Sequence, residues 1–215
     1  MLAELLLHPV LVLLVLTNLK VLGSSQPGSC IRATQWQGCL LALLPFLAHS
    51  ADLTWRLAAA GLGTLALKGF VFPSLLFRAL READATREAE TPAGYIWPLL
   101  AAMGAWGLAF WLGEQLPLAH APSNLLVPAA FFAILSGLFL IAGQKSAASQ
   151  VLGFLVLENG VFTFGIGAVQ EPPVVVELGV LLDLFVAALV MGIARFHIHG
   201  ESGRRETGPF PGLKD

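Results

Sequence analysis

Four ionisable residues stand inside long apolar stretches of this chain: Lys68, Glu158, Glu177 and Asp183. A charge at bilayer depth is costly, and it is normally retained where it faces a bundle interior or a watery path. Burial favours the neutral form of such a group, whereas an opposite charge or a hydrogen bond favours the charged form. Groups held between these influences can exchange protons, which is the chemical requirement of a relay. A helix rises about 1.5 Å per residue, so Lys68 lies roughly 15 Å from the basic end of its stretch at Arg78. On the same scale Glu158 lies roughly 12 Å from the start of its stretch, and Asp183 roughly 18 Å from Arg195. All three fall near the middle of a hydrocarbon core about 30 Å thick. A cation and two carboxylates at one depth, on three helices, make a lateral polar row. Glu177 sits about one helical turn inside the opposite surface, where water reaches it.

Plainer roles exist for each residue. Lys68 and Glu158 also read as a static pair that fixes helix packing. Glu177, near a helix start, complements the helix dipole. Snorkelling is a poor account of Lys68, because its stem of about 6 Å falls short of the interface from midplane.

The elements that must position these groups follow from composition. The chain has 215 residues, 56% hydrophobic and 12% charged, with a mean hydropathy of +0.77. Soluble domains carry about 25% charged residues, so there is too little polar surface to wrap a water-facing fold. A net charge of −2 offers phosphate no basic field. A soluble globular enzyme, a disordered chain and a nucleic-acid binder are therefore excluded, and an all-α polytopic bundle in a lipid bilayer is expected.

About 20 apolar residues cross the core as a helix, and seven stretches qualify: Leu5–Leu22, Ile31–His49, Leu53–Phe77, Ile96–Gly113, Asn124–Ala142, Gln150–Val169 and Val174–Ala194. The breaks are Gly23–Gly28, the charged run Arg78–Glu90, Leu116–Pro122 and Pro172-Pro173. The second stretch is the weakest, with Pro45 inside it and Gln35 and Gln37 near its start. The first lacks a basic leader and a small-residue cleavage pattern, so it reads as a span rather than a secretory signal. Seven spans place Lys20, Arg32, Arg78, Arg81, Arg87, Lys145, Arg195, Arg204, Arg205 and Lys214 on one side, with Arg56 alone on the other. Cytoplasmic loops are enriched in Lys and Arg, so the N-terminus is expected outside and the C-terminus in the cytoplasm. The chain divides into a four-helix region (1–123), a three-helix region (124–196) and a polar, Gly-rich cytoplasmic tail (197–215).

Local chemistry adds detail. Pro73 cannot donate to the carbonyl of Gly69, which leaves an acceptor beside Lys68 to be satisfied by protein or water. Glu158-Asn159-Gly160 groups a carboxylate, an amide and a small residue. The surrounding Gly153, Gly165 and Gly167 read mainly as sites of close helix packing. Cys30 and Cys39 read as small apolar thiols. His197 and His199 lack a third ligand and read as a solvated face, so neither metal nor cofactor is expected.

The stretch Gln150–Gly160, of pattern QxxGxxxxENG and preceded by Gln144-Lys145, resembles the hydrogenase-4 component E family. So does Val176–Asp183, of pattern VELGxxxD, continuing to Val190-Met191-Gly192. Lys68 followed by Pro73 is similar to a K-x4-P feature of the same family. The resemblance spans essentially the full length and is strongest over Gln144–Phe196. It implies a membrane subunit of a complex built on a group 4 nickel–iron hydrogenase, such as a formate hydrogenlyase. The partners so implied are antiporter-like and quinone-module-type membrane subunits and peripheral hydrogenase or formate dehydrogenase subunits. Redox centres would belong to those partners, since no nickel, iron–sulfur or flavin ligand set is expected in this chain. The last three spans are similar to the K subunit of respiratory complex I and the C subunit of multisubunit cation/proton antiporters. Carboxylates on the second and third helices of those relatives belong to a midplane polar path. Glu158 matches the first by position. Asp183 fits the second better than Glu177, although the relatives usually carry Glu there.

The expected function is thus a non-redox subunit of an energy-converting oxidoreductase complex in a bacterial or archaeal cytoplasmic membrane. Proton translocation would run along Lys68, Glu158 and Asp183, with Glu177 as a link to the outer face. A subunit of a cation/proton antiporter and a purely structural membrane anchor are the alternatives.

Overall fold

The computed structural model describes residues 2–24, 26–48, 55–82, 96–116, 118, 122–143, 147–168, 179, 181, 184–185 and 187–188. Among them the regular structure is entirely helical. The elements are α1 (Leu2–Gly23), α2 (Pro27–Ala48), α3 (Trp55–Ala66), a π-turn (Leu67–Val71), α4 (Phe72–Glu82), α5 (Ile96–Gln115), α6 (Leu126–Gly143) and α7 (Ala147–Ala168). The described residues of the seventh apolar stretch, Gly179, Leu181, Leu184, Phe185, Ala187 and Ala188, are helical too. The all-helical expectation therefore holds, and the chain is consistent with a membrane protein. Among the described residues three helices are long and apolar enough to cross a bilayer: Leu5–Gly23, Leu126–Gly143 and Ser149–Ala168.

Helix starts follow capping chemistry. Pro27 occupies the first position of α2, where no backbone N–H is required. The Ser123 hydroxyl accepts the Leu125 N–H at 3.2 Å ahead of α6, and it meets His8 Nε2 of α1 at 3.3 Å. Most boundaries fall within three residues of those read in the sequence, and two differ by more. Helix α2 begins at Pro27 rather than Ile31, and α4 runs to Glu82, into the charged run that was expected to break at Arg78. Apolarity marks the part of a helix suited to hydrocarbon, but backbone bonding continues past it while the side chains can be solvated.

The share of buried positions rises from 44% on the apolar window of α1 to 67% on that of α7, so α7 is the more interior helix. It packs against α2, α4 and α6. Glycines set the α6–α7 distance. A Cβ on Gly137 would lie 2.5 Å from Leu157 N, one on Gly153 would lie 2.9 Å from Ile141 N, and one on Gly160 would lie 2.7 Å from Ile134 N. Gly153 thus serves the close packing expected of it, and Gly160 does the same. The described residues Gly179 and Phe185 follow an antiparallel order against α7, because Phe185 meets Phe154 at 5.5 Å while Gly179 abuts Phe162. The outside is apolar: Leu5, Val12 and Leu16 on α1, Leu99 and Met103 on α5, and Phe139 on α6 are exposed. A surface of this kind suits lipid rather than water.

Candidate functional site

Lys68 and Glu158, ninety positions apart in sequence, meet in the middle of the bundle. The ammonium Nζ lies 2.9 Å from Glu158 Oε1, and both side chains are buried. The same ammonium donates to Asn159 Oδ1 at 3.2 Å and stands 5.3 Å from the centroid of the Phe162 ring. An opposite charge, an amide oxygen and a π-face thus replace water around the cation.

The backbone under Lys68 is irregular for a reason that starts at Pro73. In a regular α-helix the Pro73 ring would collide with the Gly69 carbonyl, four residues back. One π-turn relieves the collision: the Phe72 N–H bonds to Leu67 O, five residues back. Single π-turns inside α-helices recur at functional sites. The Gly69 carbonyl, freed by Pro73, accepts from Gln35 Nε2 of α2 at 2.9 Å. The acceptor expected beside Lys68 is therefore satisfied by protein.

The polar row extends through neutral amides. Asn159 Nδ2 donates to Gln37 Oε1 at 3.2 Å, and Gln37 Nε2 donates to Asn18 Oδ1 of α1 at 2.8 Å. All three amides are buried. An ammonium can only donate, so Asn159 must turn its oxygen to Lys68 and pass its N–H outward. Gln37 and Asn18 then have no choice of orientation. Each of these three amide dipoles presents its negative end toward the lysine. Thr163 Oγ1 donates to Asn159 O at 2.7 Å and steadies the turn.

Close approach of α2 depends on Gly38. A Cβ there would lie 2.6 Å from Lys68 Cβ and 2.7 Å from its carbonyl carbon. With hydrogen at this position, the Gln35 and Gln37 side chains, three and one positions before Gly38, reach the π-turn and Asn159.

The structure brings together two of the four charges singled out above, Lys68 and Glu158. Asp183 and Glu177 lie outside the described residues, as do His197 and His199. Asn18, Gln35, Gln37, Gly38 and Asn159 complete the site. Gln35 and Gln37 had read as flaws in a span, which was the available signal: amides at bilayer depth need partners. Cys30 and Cys39 are free thiols, nine residues apart on one helix. Among the described residues no group of three or more His, Cys, Asp or Glu side chains could hold a metal.

The Gln35 bond has a measurable consequence. Gln35→Leu strands the Gly69 carbonyl and is expected to destabilise the chain by about 1–3 kcal/mol, read as a lower melting temperature in detergent micelles. Adding Pro73→Ala returns a backbone N–H to that turn and is expected to recover part of the loss. Equal stability of Gln35→Leu and the parent would contradict the bond.

Rv0085 of Mycobacterium tuberculosis, described as an uncharacterized protein, is 34% identical to this chain over 184 residues, which covers 84% of this chain and 83% of that protein. No family model and no solved structure matches. Identity at this level across most of both chains shows common descent, and this chain belongs to the family that includes Rv0085.

Proposed function

We propose that this chain is a non-redox membrane subunit of an energy-converting complex of the hydrogenase-4 or formate hydrogenlyase type, in which it carries part of a lateral proton path. The observation that supports this reading is the buried Lys68–Glu158 contact at 2.9 Å, seated on a π-turn and backed by three amides. A group can pass a proton along a row only if its neighbour can take or return one, and an amine beside a carboxylate meets that condition. The path continues to Asp183 as the second carboxylate, with Glu177 nearer the outer face.

In this reading all seven apolar stretches cross a bacterial or archaeal cytoplasmic membrane, with the N-terminus outside. At about 1.5 Å per residue, the 22 residues of α2 and the 20 of α5 are long enough to do so. Ten of the twelve basic residues then share the cytoplasmic side, with Arg56 on the other and Lys68 inside a span. The partners are antiporter-like and quinone-module-type membrane subunits and a peripheral hydrogenase or formate dehydrogenase, which hold the redox centres.

The test is proton translocation by membrane vesicles containing the assembled complex with Glu158→Gln, which keeps the shape and removes the exchangeable charge. Coupled proton uptake is expected to fall at least about tenfold while the complex still assembles. Undiminished coupling would remove Glu158 from the path and leave the pair as a packing device. Loss of salt tolerance without loss of hydrogen evolution in a deletion strain would instead favour a cation/proton antiporter subunit.

A further inference from the structure

The buried apolar side chains form two separate clusters, and the polar row lies between them. On α1, Leu11 and Leu14 precede Asn18 and belong to one cluster, while Val21 and Leu22 follow it and belong to the other. On α2 the order is reversed, with Ile31 and Ala33 before Gln37 and Leu41 and Leu44 after it. On α7, Leu155 and Val156 precede Glu158 and Asn159, and Phe162 and Ile166 follow them. Helices that alternate in direction require this reversal, so the row divides the same two layers on all three. One layer covers the end of the bundle where α1 begins, and the other covers the end where α2 and α7 begin. The first is the outer end in the topology proposed above.

Phe162 is where the outer layer meets the charge. It follows Glu158 by one helical turn, on the same face of α7, and it is buried. Its ring centroid lies 5.3 Å from the Lys68 ammonium. The seventh stretch also abuts this ring: a Cβ on Gly179 would lie 3.0 Å from Phe162 Cε2 and 3.1 Å from Cδ2. An aliphatic side chain at this position would offer the ammonium nothing in place of water. An aromatic face is apolar and yet carries negative potential, so it excludes water and still holds a cation. Thr163, beside the ring, gives its hydroxyl hydrogen to Asn159 O, within the row. Apolar constrictions close to ions by dewetting, and a bare charge inside one is costly.

We propose that Phe162 is the seal of the polar row. It bars protons from passing straight between the row and the end of the bundle where α1 begins, and it confines their movement to the plane of the membrane. The seal rests on the proton-path reading and adds to it a barrier and the residue that forms it. A proton bound for the outer face then leaves by way of the seventh stretch, which carries Asp183 and Glu177 in sequence, and not through the interior between α1, α2 and α7.

Access is measured without reference to activity, with a water-soluble carbodiimide and glycine ethyl ester on the full chain in lipid nanodiscs. The reagents modify carboxyl groups that water reaches, and Glu158 has no exposed surface. Glu158 is expected to be modified at least about tenfold faster in Phe162→Ala than in the parent, because the apolar barrier is gone. Phe132→Ala is the matched control and is expected to label as the parent does. It empties an equally buried ring from the other cluster, one that packs on Trp106 of α5. Phe162→His keeps a flat ring but takes up water, and it is expected to label as Phe162→Ala does; it decides the matter if the smaller side chain does not fold. Equal labelling of Glu158 in the Phe162 variants and in Phe132→Ala would overturn the seal. The second measurement is passive proton backflow in vesicles that hold the assembled complex with its turnover stopped. A rise of at least about fivefold in a Phe162 variant, abolished by adding Glu158→Gln, supports the seal. No rise means that the ring guards no proton, and a rise that survives Glu158→Gln means a hole apart from the row; either overturns the seal. Parental coupling in Glu158→Gln alone would sink the path itself, so the two failures are distinguishable.

Discussion

Lys68→Met is expected to be the most damaging single substitution in the chain, lowering stability by about 3–5 kcal/mol. Glu158 has no exposed surface, and its Oε1 lies 2.9 Å from the ammonium. Removing the cation leaves a carboxylate that must stay charged in a poor environment or bind a proton to escape it. The amide chain also loses the donor that orients it. The double variant Lys68→Met/Glu158→Met is expected to behave differently. Replacing both partners of a buried pair with apolar side chains of similar volume is often neutral or stabilising by about 1–4 kcal/mol. Thermal melts of the two single variants and the double variant complete a cycle whose coupling term measures the pair. Coupled proton transport is expected to be lost in the double variant even where its melting temperature recovers. That combination separates transport from packing. A double variant that is stable and fully coupled would reduce the pair to a structural device, and a Lys68→Met variant as stable as the parent would show that the pair does not form.

The second large effect is expected from the smallest change, Gly38→Ala. The added Cβ would lie 2.6 Å from Lys68 Cβ, 2.7 Å from its carbonyl carbon and 2.8 Å from its carbonyl oxygen. Two of those atoms are backbone, so no rotamer change relieves the clash. Normal carbon contacts are about 3.5–4.0 Å, and α2 must therefore retreat from the π-turn by roughly 1 Å. That displacement exceeds the tolerance of the Gln35–Gly69 bond at 2.9 Å and the Asn159–Gln37 bond at 3.2 Å. Overpacking of about 1–3 kcal/mol adds to the loss of those buried bonds, at about 1–3 kcal/mol each. Gly63→Ala is the matched control, since a Cβ there meets nothing within 4 Å. It is expected to be neutral or stabilising by up to about 1 kcal/mol, the helix-propensity difference. Melting temperatures of the two variants side by side decide the matter. If Gly38→Ala melts with Gly63→Ala, the contact between α2 and the π-turn is not tight.

The chemistry of Lys68 and Glu158 was legible because charge is conspicuous in an apolar stretch, and helical rise converts sequence distance into depth at about 1.5 Å per residue. Their shared depth made a meeting possible. Pro73 was legible in the same way, because a residue without an N–H leaves a specific carbonyl, that of Gly69, in need of a donor. Gln35, Gln37 and Asn18 were harder. A neutral amide costs less than a charge in a span, so it reads as a blemish in the hydropathy of α2 or passes unnoticed in α1. Gly38 was invisible, because a glycine in a helix declares neither its neighbour nor its distance.

What could be read from the sequence, then, was an all-helical chain with segments apolar enough for a bilayer, the axial positions of Lys68 and Glu158 and the one carbonyl that proline would orphan. These are properties of a single helix, and the backbone repeat dictates them. Tertiary structure alone decided which groups face each other: Gln35 as the donor to Gly69, Lys68 against Glu158, and the amide chain from Asn159 to Asn18. Those depend on the rotation and spacing of neighbouring helices. Rotation and spacing are set by side-chain packing between segments far apart in the chain, such as Gly38 against Lys68 and Gly137 against Leu157.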